Sequence, residues 1–421
     1  MSRAVSFAPL PVVGQGAGRA RGRSPFAASA PSIAIALAYL VAVLVWLVIG
    51  DALPGGRWLA VHLFTLGVLT NLVLTFSEHF ARTVTRTPGE RAWWWPVVTN
   101  VGIMGVLLGA AGHQWLLAAG GTILTGAVFA AYWRLRRMRR AAIGARFAWI
   151  VRVYERAHGA FIHAAVLGIV LGVGLVSGGW YLGVRAAHLH ANVLGWGGLT
   201  LLATLVFFGP TMARTRIEPG ADGRAARALR HGATGLTVGV VLLLLTGAPG
   251  ALGTAARLGA AVGLAVLAWA ATVVCLPVAR AALGAKPTAP RWPLIAVCVW
   301  FPLVVWADVL VVATGQWRWL DALGAAALAG VLAQAVVVTL TYLAPMLRGR
   351  STPERDAVRT RLEVGARTRA AAFQVGAGLV VLASARIVDV PYGAAVGWAL
   401  LIGVLLATAT AVAWRLPRPE A

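Results

Sequence analysis

Twelve apolar runs dominate the chain, and polar residues collect between them rather than inside them. They lie near 31–50, 58–80, 93–112, 114–133, 157–178, 187–209, 234–250, 257–278, 292–313, 320–345, 370–388 and 391–414. Each is close to the ~20 residues an α-helix needs to cross a ~30 Å hydrocarbon layer; the seventh is the shortest. In that solvent every backbone N–H and C=O must be satisfied within the segment, so helices are the expected form. The pattern predicts an all-α membrane protein with twelve transmembrane helices. No long soluble stretch interrupts the runs, so one transmembrane domain is expected over 31–414. A Gly-, Ala-, Pro- and Arg-rich tail over 1–30 is expected to be disordered, and a short tail follows over 415–421.

Composition agrees. Hydrophobic residues make up 59% of the 421 and charged ones only 12%, against about a quarter charged in soluble domains. The formal net charge of +24 at first suggests nucleic acid, but its distribution excludes that partner. Basic residues fill alternate loops: Arg82 to Arg91, Arg134 to Arg152, Arg214 to Arg230, Arg280 to Arg291, and Arg348 to Arg369. The opposite loops carry little beyond Asp51, Arg57, Arg185, Arg257, Arg318, Asp321 and Asp389. This is the positive-inside pattern. It predicts a multi-pass protein of the bacterial cytoplasmic membrane, with the lipid bilayer as its first partner and both termini cytoplasmic. The three longest cytoplasmic loops, near 134–156, 210–233 and 346–369, suit helices lying at the membrane surface. Cys275 and Cys298 stand in apolar spans without metal or redox spacing, as small core residues do.

An internal repeat is visible. Span 2 reads VHLFTLGVLTN from Val61, span 6 reads HANVLGWGGLT from His190, and span 10 reads LGAAALAGVLAQ from Leu323. Each enters from the outer side, has an early Leu-Gly, and leaves through Arg. A spacing of four spans predicts three pseudo-repeated units of four.

Histidine is costly inside a bilayer unless it binds or hydrogen-bonds something. His62, His188 and His190 fall near the outer ends of spans 2 and 6, and His79, His158 and His163 near the inner ends of spans 2 and 5. His62 and His79 are about 25 Å apart along a helix, so two layers of candidate sites follow. In His188-Leu189-His190 the side chains diverge by about 200° and serve opposite faces. If spans 2 and 6 pack together, His62 and His190 can ligate one haem iron, with Arg57 or Arg185 near its propionates and His188 facing a second haem or a copper. In the inner layer, His79 and His163 are weaker metal candidates. The competing reading is that these imidazoles sit at the interface, bonded to carbonyls or water. Asp308 and Arg386, both in the outer half, are expected to pair, since an unpaired charge there is costly.

At these residues the chain resembles the haem-copper oxidase superfamily, subunit I-like branch. HLHANVLGW is similar to that family's H-x-H…LGW segment, and AVHLFTLGVLTN, with His62, is similar to its low-spin haem helix. The chain is also similar to the twelve-helix membrane part of actinobacterial multicopper oxidases, including copper nitrite reductases, and more distantly to the NnrS family. The resemblance implies b-type haem, copper as a second metal, and an oxidoreductase or electron-transport role beside respiration or denitrification. It implies an extracytoplasmic cupredoxin, multicopper oxidase or cytochrome as partner. In the oxidases, however, H-x-H falls on helix 10; here it is on span 6, and spans 7 to 12 hold no histidine apart from the loop residue His231 before them. A complete oxygen-reducing centre is therefore not expected, no catalytic residue is assigned, and whether the chain is itself an enzyme stays open. Two rivals remain: a polytopic transporter, which repeated units also suit, and a cofactor-free scaffold or assembly factor.

Overall fold

The computed structural model describes residues 29–50, 55–87, 94–142, 147–349, 351–386 and 392–413. The tails over 1–28 and 414–421, together with Asp51, Arg91 and Asp389, lie outside the described residues. Within them every regular element is a helix. We number these α1 (Ala30–Ile49), α2 (Gly56–Thr85), α3 (Trp95–Gly109), α4 (Gln114–Ala141), α5 (Ala148–Gly172), α6 (Gly178–Met212) and α7 (Ala221–Gly247). There follow α8 (Gly250–Gly284), α9 (Arg291–Thr314), α10 (Trp317–Arg348), α11 (Thr352–Glu363), α12 (Ala366–Ala385) and α13 (Gly393–Ala413).

Ten of these are long and apolar enough to cross a membrane among the described residues. The chain is a multi-pass membrane protein. Twelve crossings were expected, and two helices depart from that pattern. Apolar α3 has only 15 residues, about 22 Å at 1.5 Å per residue. The polar residues Arg152, Glu155, Arg156, His158 and His163 interrupt the apolar face of α5. Val41, Val101, Phe129, Val262, Leu310 and Leu406 stay exposed, a belt that only hydrocarbon would cover.

Arginine-rich segments read as loops are largely helical extensions. Thus α4 runs on to Ala141 and α7 starts at Ala221. Glu78 takes both Arg82 of its own helix and Arg134 of α4. Glu155 of α5 takes Arg139 of α4 at 2.6 Å. These pairs tie α2, α4 and α5 together at one end. Only α11 forms a separate short helix. It opens on a capping box between Ser351 and Glu354 and buries Val358 and Leu362 beside Ala289 and Ala344.

One local feature recurs three times. Leu63–Thr70 in α2, Ala191–Gly198 in α6 and Ala326–Ala333 in α10 are π-helical segments of 8 residues each. A wider turn of this kind usually marks an inserted residue and often a functional position. Each holds a glycine at its fifth position, Gly67, Gly195 and Gly330, against the helix that precedes it. A Cβ at Gly67 would come 2.3 Å from the Tyr39 ring of α1; at Gly195, 2.6 Å from Ala160 Cβ of α5; at Gly330, 2.7 Å from the Trp300 ring of α9. The repeat in span 10 therefore centres on Gly330, six residues beyond the Leu323-Gly324 pair that the sequence suggests.

The next position repeats too. Asn71 follows the first π segment and Gln334 the third; Leu199 follows the second. Asn71 and Asn100 of α3 exchange amide hydrogen bonds at 3.1 and 3.0 Å. Gln334 and Gln374 of α12 do the same at 3.1 and 2.9 Å. Asn71 also donates to Gly67 O, and Gln334 to Gly330 O. Paired amides satisfy one another where no water reaches, which lets polar residues hold membrane helices together.

Candidate functional site

The outer histidines lie on α2 and α6, with α5 and α9 on opposite sides of α6. At the mouth of this region Asp321, at the start of α10, meets Arg57 of α2 at 3.6 Å and Arg185 of α6 at 3.8 Å. These exposed contacts are worth little individually, but they bring the entrances of α2, α6 and α10 together.

His190 is fully engaged. Its Nδ1 lies 2.7 Å from Ala186 O and its Nε2 2.9 Å from Asp308 Oδ2 of α9. Both His190 and Asp308 are buried, at 4% and 5% exposure. A carbonyl flanks one nitrogen and a carboxyl group the other. The Nδ1 proton belongs to the carbonyl bond, so the Nε2–Oδ2 bond carries one proton, whichever partner formally holds it. The pair is neutral overall, which is how such groups persist in hydrocarbon.

This arrangement corrects two expectations. Asp308 pairs with His190 and not with Arg386, which instead ends α12 in a left-handed conformation at φ 52°. The Nε2 of His190 is taken by Asp308, so it is not free for a ligand shared with His62. The physical reason is rotation about α6: two residues apart, the imidazoles diverge by about 200°. The His190 face of α6 packs on α9, and the His188 face on α5.

His188 Nδ1 donates to Ala164 O of α5 at 2.8 Å, and its ring lies over Gly168. A Cβ at Gly168 would sit 2.8 Å from His188 Cε1, so the glycine provides the seat for the ring. His62 Nδ1 donates to Trp58 O at 2.8 Å, and its ring stacks on Trp58 with centroids 3.9 Å apart. Both imidazoles thus commit Nδ1 to a carbonyl, which leaves Nε2 as the lone-pair nitrogen; that of His188 has the Asn192 amide nitrogen 3.4 Å away. Metal-ligating histidines are fixed in the same way. Asp308 stands eight residues after Trp300, and Gly168 eight after Ala160. Both meet α6, Asp308 against His190 and Gly168 against His188.

The inner-layer residues are not brought together. His163 is exposed on α5 and donates Nδ1 to its own Gly159 O, pointing away from the helices that pack on this one. His79 lies edge-on to Phe80 on α2. His158 is the buried member, its ring edge against Trp196 of α6 with centroids 4.7 Å apart. Among the described residues no cluster of three or more His, Cys, Asp or Glu could hold a metal ion. No known protein family matches the chain, and no curated protein matches it. What it does must be argued from these seams.

The partner of Asp308 differs from the expected one. Its charge in an apolar span was visible, but its partner depended on which face of α6 meets α9.

Proposed function

We propose that the chain is a membrane-embedded haem protein that transfers electrons, with His62 and His188 as the axial ligands. The carrying observation is that each of these imidazoles commits Nδ1 to a carbonyl and so keeps Nε2 as the nitrogen that could meet iron. The donor set fits: a low-spin haem takes two axial nitrogens, whereas imidazole copper sites commonly take three or more ligands. Copper is therefore the weaker part of the reading. The haem, when bound, would supply a one-electron couple. Two histidines would leave its iron no open position for a substrate, which favours electron transfer over turnover.

The chain's own residues orient and hold. Trp58 O and Ala164 O set the tautomers of His62 and His188, Gly168 clears the space for His188, and Arg57 and Arg185 stand ready for propionates. With arginine-rich loops on the cytoplasmic side, this seam opens towards the outside. An extracytoplasmic cupredoxin, multicopper oxidase or cytochrome is the matching electron partner. The three π segments with their facing helices support twelve spans in three units of four, the oxidase-like architecture, with α3 and α5 as the third and fifth spans and α12 and α13 as the last two.

The test is the absorption spectrum of the purified protein. A Soret band that sharpens on reduction, with a defined α band, is expected. His62→Ala and His188→Ala each abolish the low-spin signal, and His190→Ala retains it. Protein that yields no pyridine haemochrome after expression with haem precursor overturns the reading.

One observation favours a second reading, proton-coupled transport. The buried His190–Asp308 bond holds a single proton across two helices, and such pairs recur in proton relays of transporters. A haem-free protein that moves protons with a solute, and loses this in Asp308→Asn, would establish it instead.

A further inference from the structure

A second polar seam runs along α6 on the face towards α5. His188, Asn192, Trp196, Thr200 and Thr204 follow one another at intervals of four. In a pure α-helix, four residues overshoot a turn by about 40°, so such a stripe spirals off its face. The π segment at Ala191–Gly198 makes wider turns and winds the stripe back towards α5.

The two helices meet rung by rung. At the arginine-rich end the Tyr154 hydroxyl lies 3.0 Å from Thr204 Oγ1. One turn further in, His158 stands on α5 and Thr200 on α6. Above them Trp196 covers the His158 ring, and Gly195 touches Ala160. At the far end His188 bonds Ala164 O.

The central rung differs from the rest. His158 Nε2, Trp196 Nε1 and Thr200 Oγ1 are buried, and none has a hydrogen-bond partner. The residues are 0%, 3% and 7% exposed. Thr204, one turn away, bonds the carbonyl four residues back at 2.7 Å, as do Thr99 and Thr272; Thr200 does not. An unpaired polar group in an apolar medium costs several kcal/mol. Three such groups on adjoining turns of two facing helices call for a shared occupant.

Their chemistry narrows it. His158 Nδ1 donates to Tyr154 O at 2.7 Å, so Nε2 is an acceptor. Trp196 Nε1–H only donates, and the Thr200 hydroxyl does both. The occupant must donate to one group and accept from another, and it must be small and uncharged. An anion meets the His158 lone pair, and a cation meets the indole N–H. Water combines these properties and is the usual partner of such groups in protein interiors.

We propose that His158, Trp196 and Thr200 bind water between α5 and α6, and that this site extends the Tyr154–Thr204 rung along the seam. The inference stands apart from the haem reading, since none of these three residues is a proposed ligand.

Hydroxyl-radical footprinting tests it, with radicals made by X-rays from ¹⁸O water around the full-length protein in lipid nanodiscs. Bound water generates the radical in place, so Trp196 is expected to gain ¹⁸O at a rate within tenfold of Trp115, which is 72% exposed. Thr200→Val is expected to cut that rate at least fivefold and leave Trp115 unchanged, while Thr200→Ser retains it. A wild-type Trp196 rate no higher than that of buried Trp95 overturns the proposal, whatever the variants do. An undiminished rate in Thr200→Val overturns it as well.

Discussion

Removing Asp308 is the sharpest test of how the His190 seam holds itself together. The two groups are 2.9 Å apart and almost wholly buried. Asp308→Leu leaves His190 Nε2 without a partner, which costs about 1–3 kcal/mol for a neutral ring and about 3–5 kcal/mol for an ionised one. Asp308→Asn still offers an N–H to Nε2 and keeps the volume, so about 0.5–1.5 kcal/mol is expected. The double replacement His190→Leu with Asp308→Leu removes both groups and is expected to be near neutral. Ordinary interhelical hydrogen bonds in membranes couple by about 0.6 kcal/mol, and at most about 1.7. A shared-proton pair in this setting is expected to exceed that range, at about 2–3 kcal/mol of coupling. The assay is reversible unfolding of the four proteins in bicelles, followed by steric trapping as a double-mutant cycle. A coupling of about 0.6 kcal/mol or less refutes the argument, because the bond would then be one polar contact among many.

Three further outcomes follow from the same geometry. Asn71→Leu copies the residue found after the second π segment, Leu199, and leaves Asn100 Oδ1 without its donor while Asn100 keeps its bond to Pro96 O; it should cost no more than about 2 kcal/mol by bicelle unfolding, and a larger loss would show that the amide pair does more than join α2 to α3. Gly67→Ala puts a methyl group into the Tyr39 ring and should cost about 1–3 kcal/mol, restored in part by Tyr39→Ala; failure of that rescue would place the strain elsewhere. Glu155→Gln loosens Arg139 of α4, a charge-assisted bond worth about 1.5–3 kcal/mol, and should speed hydrogen exchange at the α4–α5 junction, while unchanged exchange would show the pair to be incidental.

Much of the fold was legible along the chain because the bilayer imposes a simple rule: apolar runs of fixed length become helices. The same rule falls short where polar residues enter a helix. In α5 the histidines and Glu155 lower its apolarity, which leaves it outside the ten helices that hydropathy assigns to the membrane. The repeat was visible through Leu66-Gly67 and Leu194-Gly195, but composition drew the match in span 10 to Leu323-Gly324. Only the contact between Gly330 and Trp300 sets the register. For the histidines, spacing indicated that His188 and His190 face apart, and nothing in it revealed which neighbour each would meet. The stripe from His188 to Thr204 could have been found by counting in fours. Its significance depended on the unpartnered atoms of His158, Trp196 and Thr200, which arise only when α5 lies alongside.

The glycine at 168 and the aspartate at 308 show how a single helix can serve two neighbours in different ways. Both stand against histidines of α6 only two residues apart. One flank is latched by chemistry and the other by shape, so a substitution on either side of α6 should disturb its own flank and spare the opposite one.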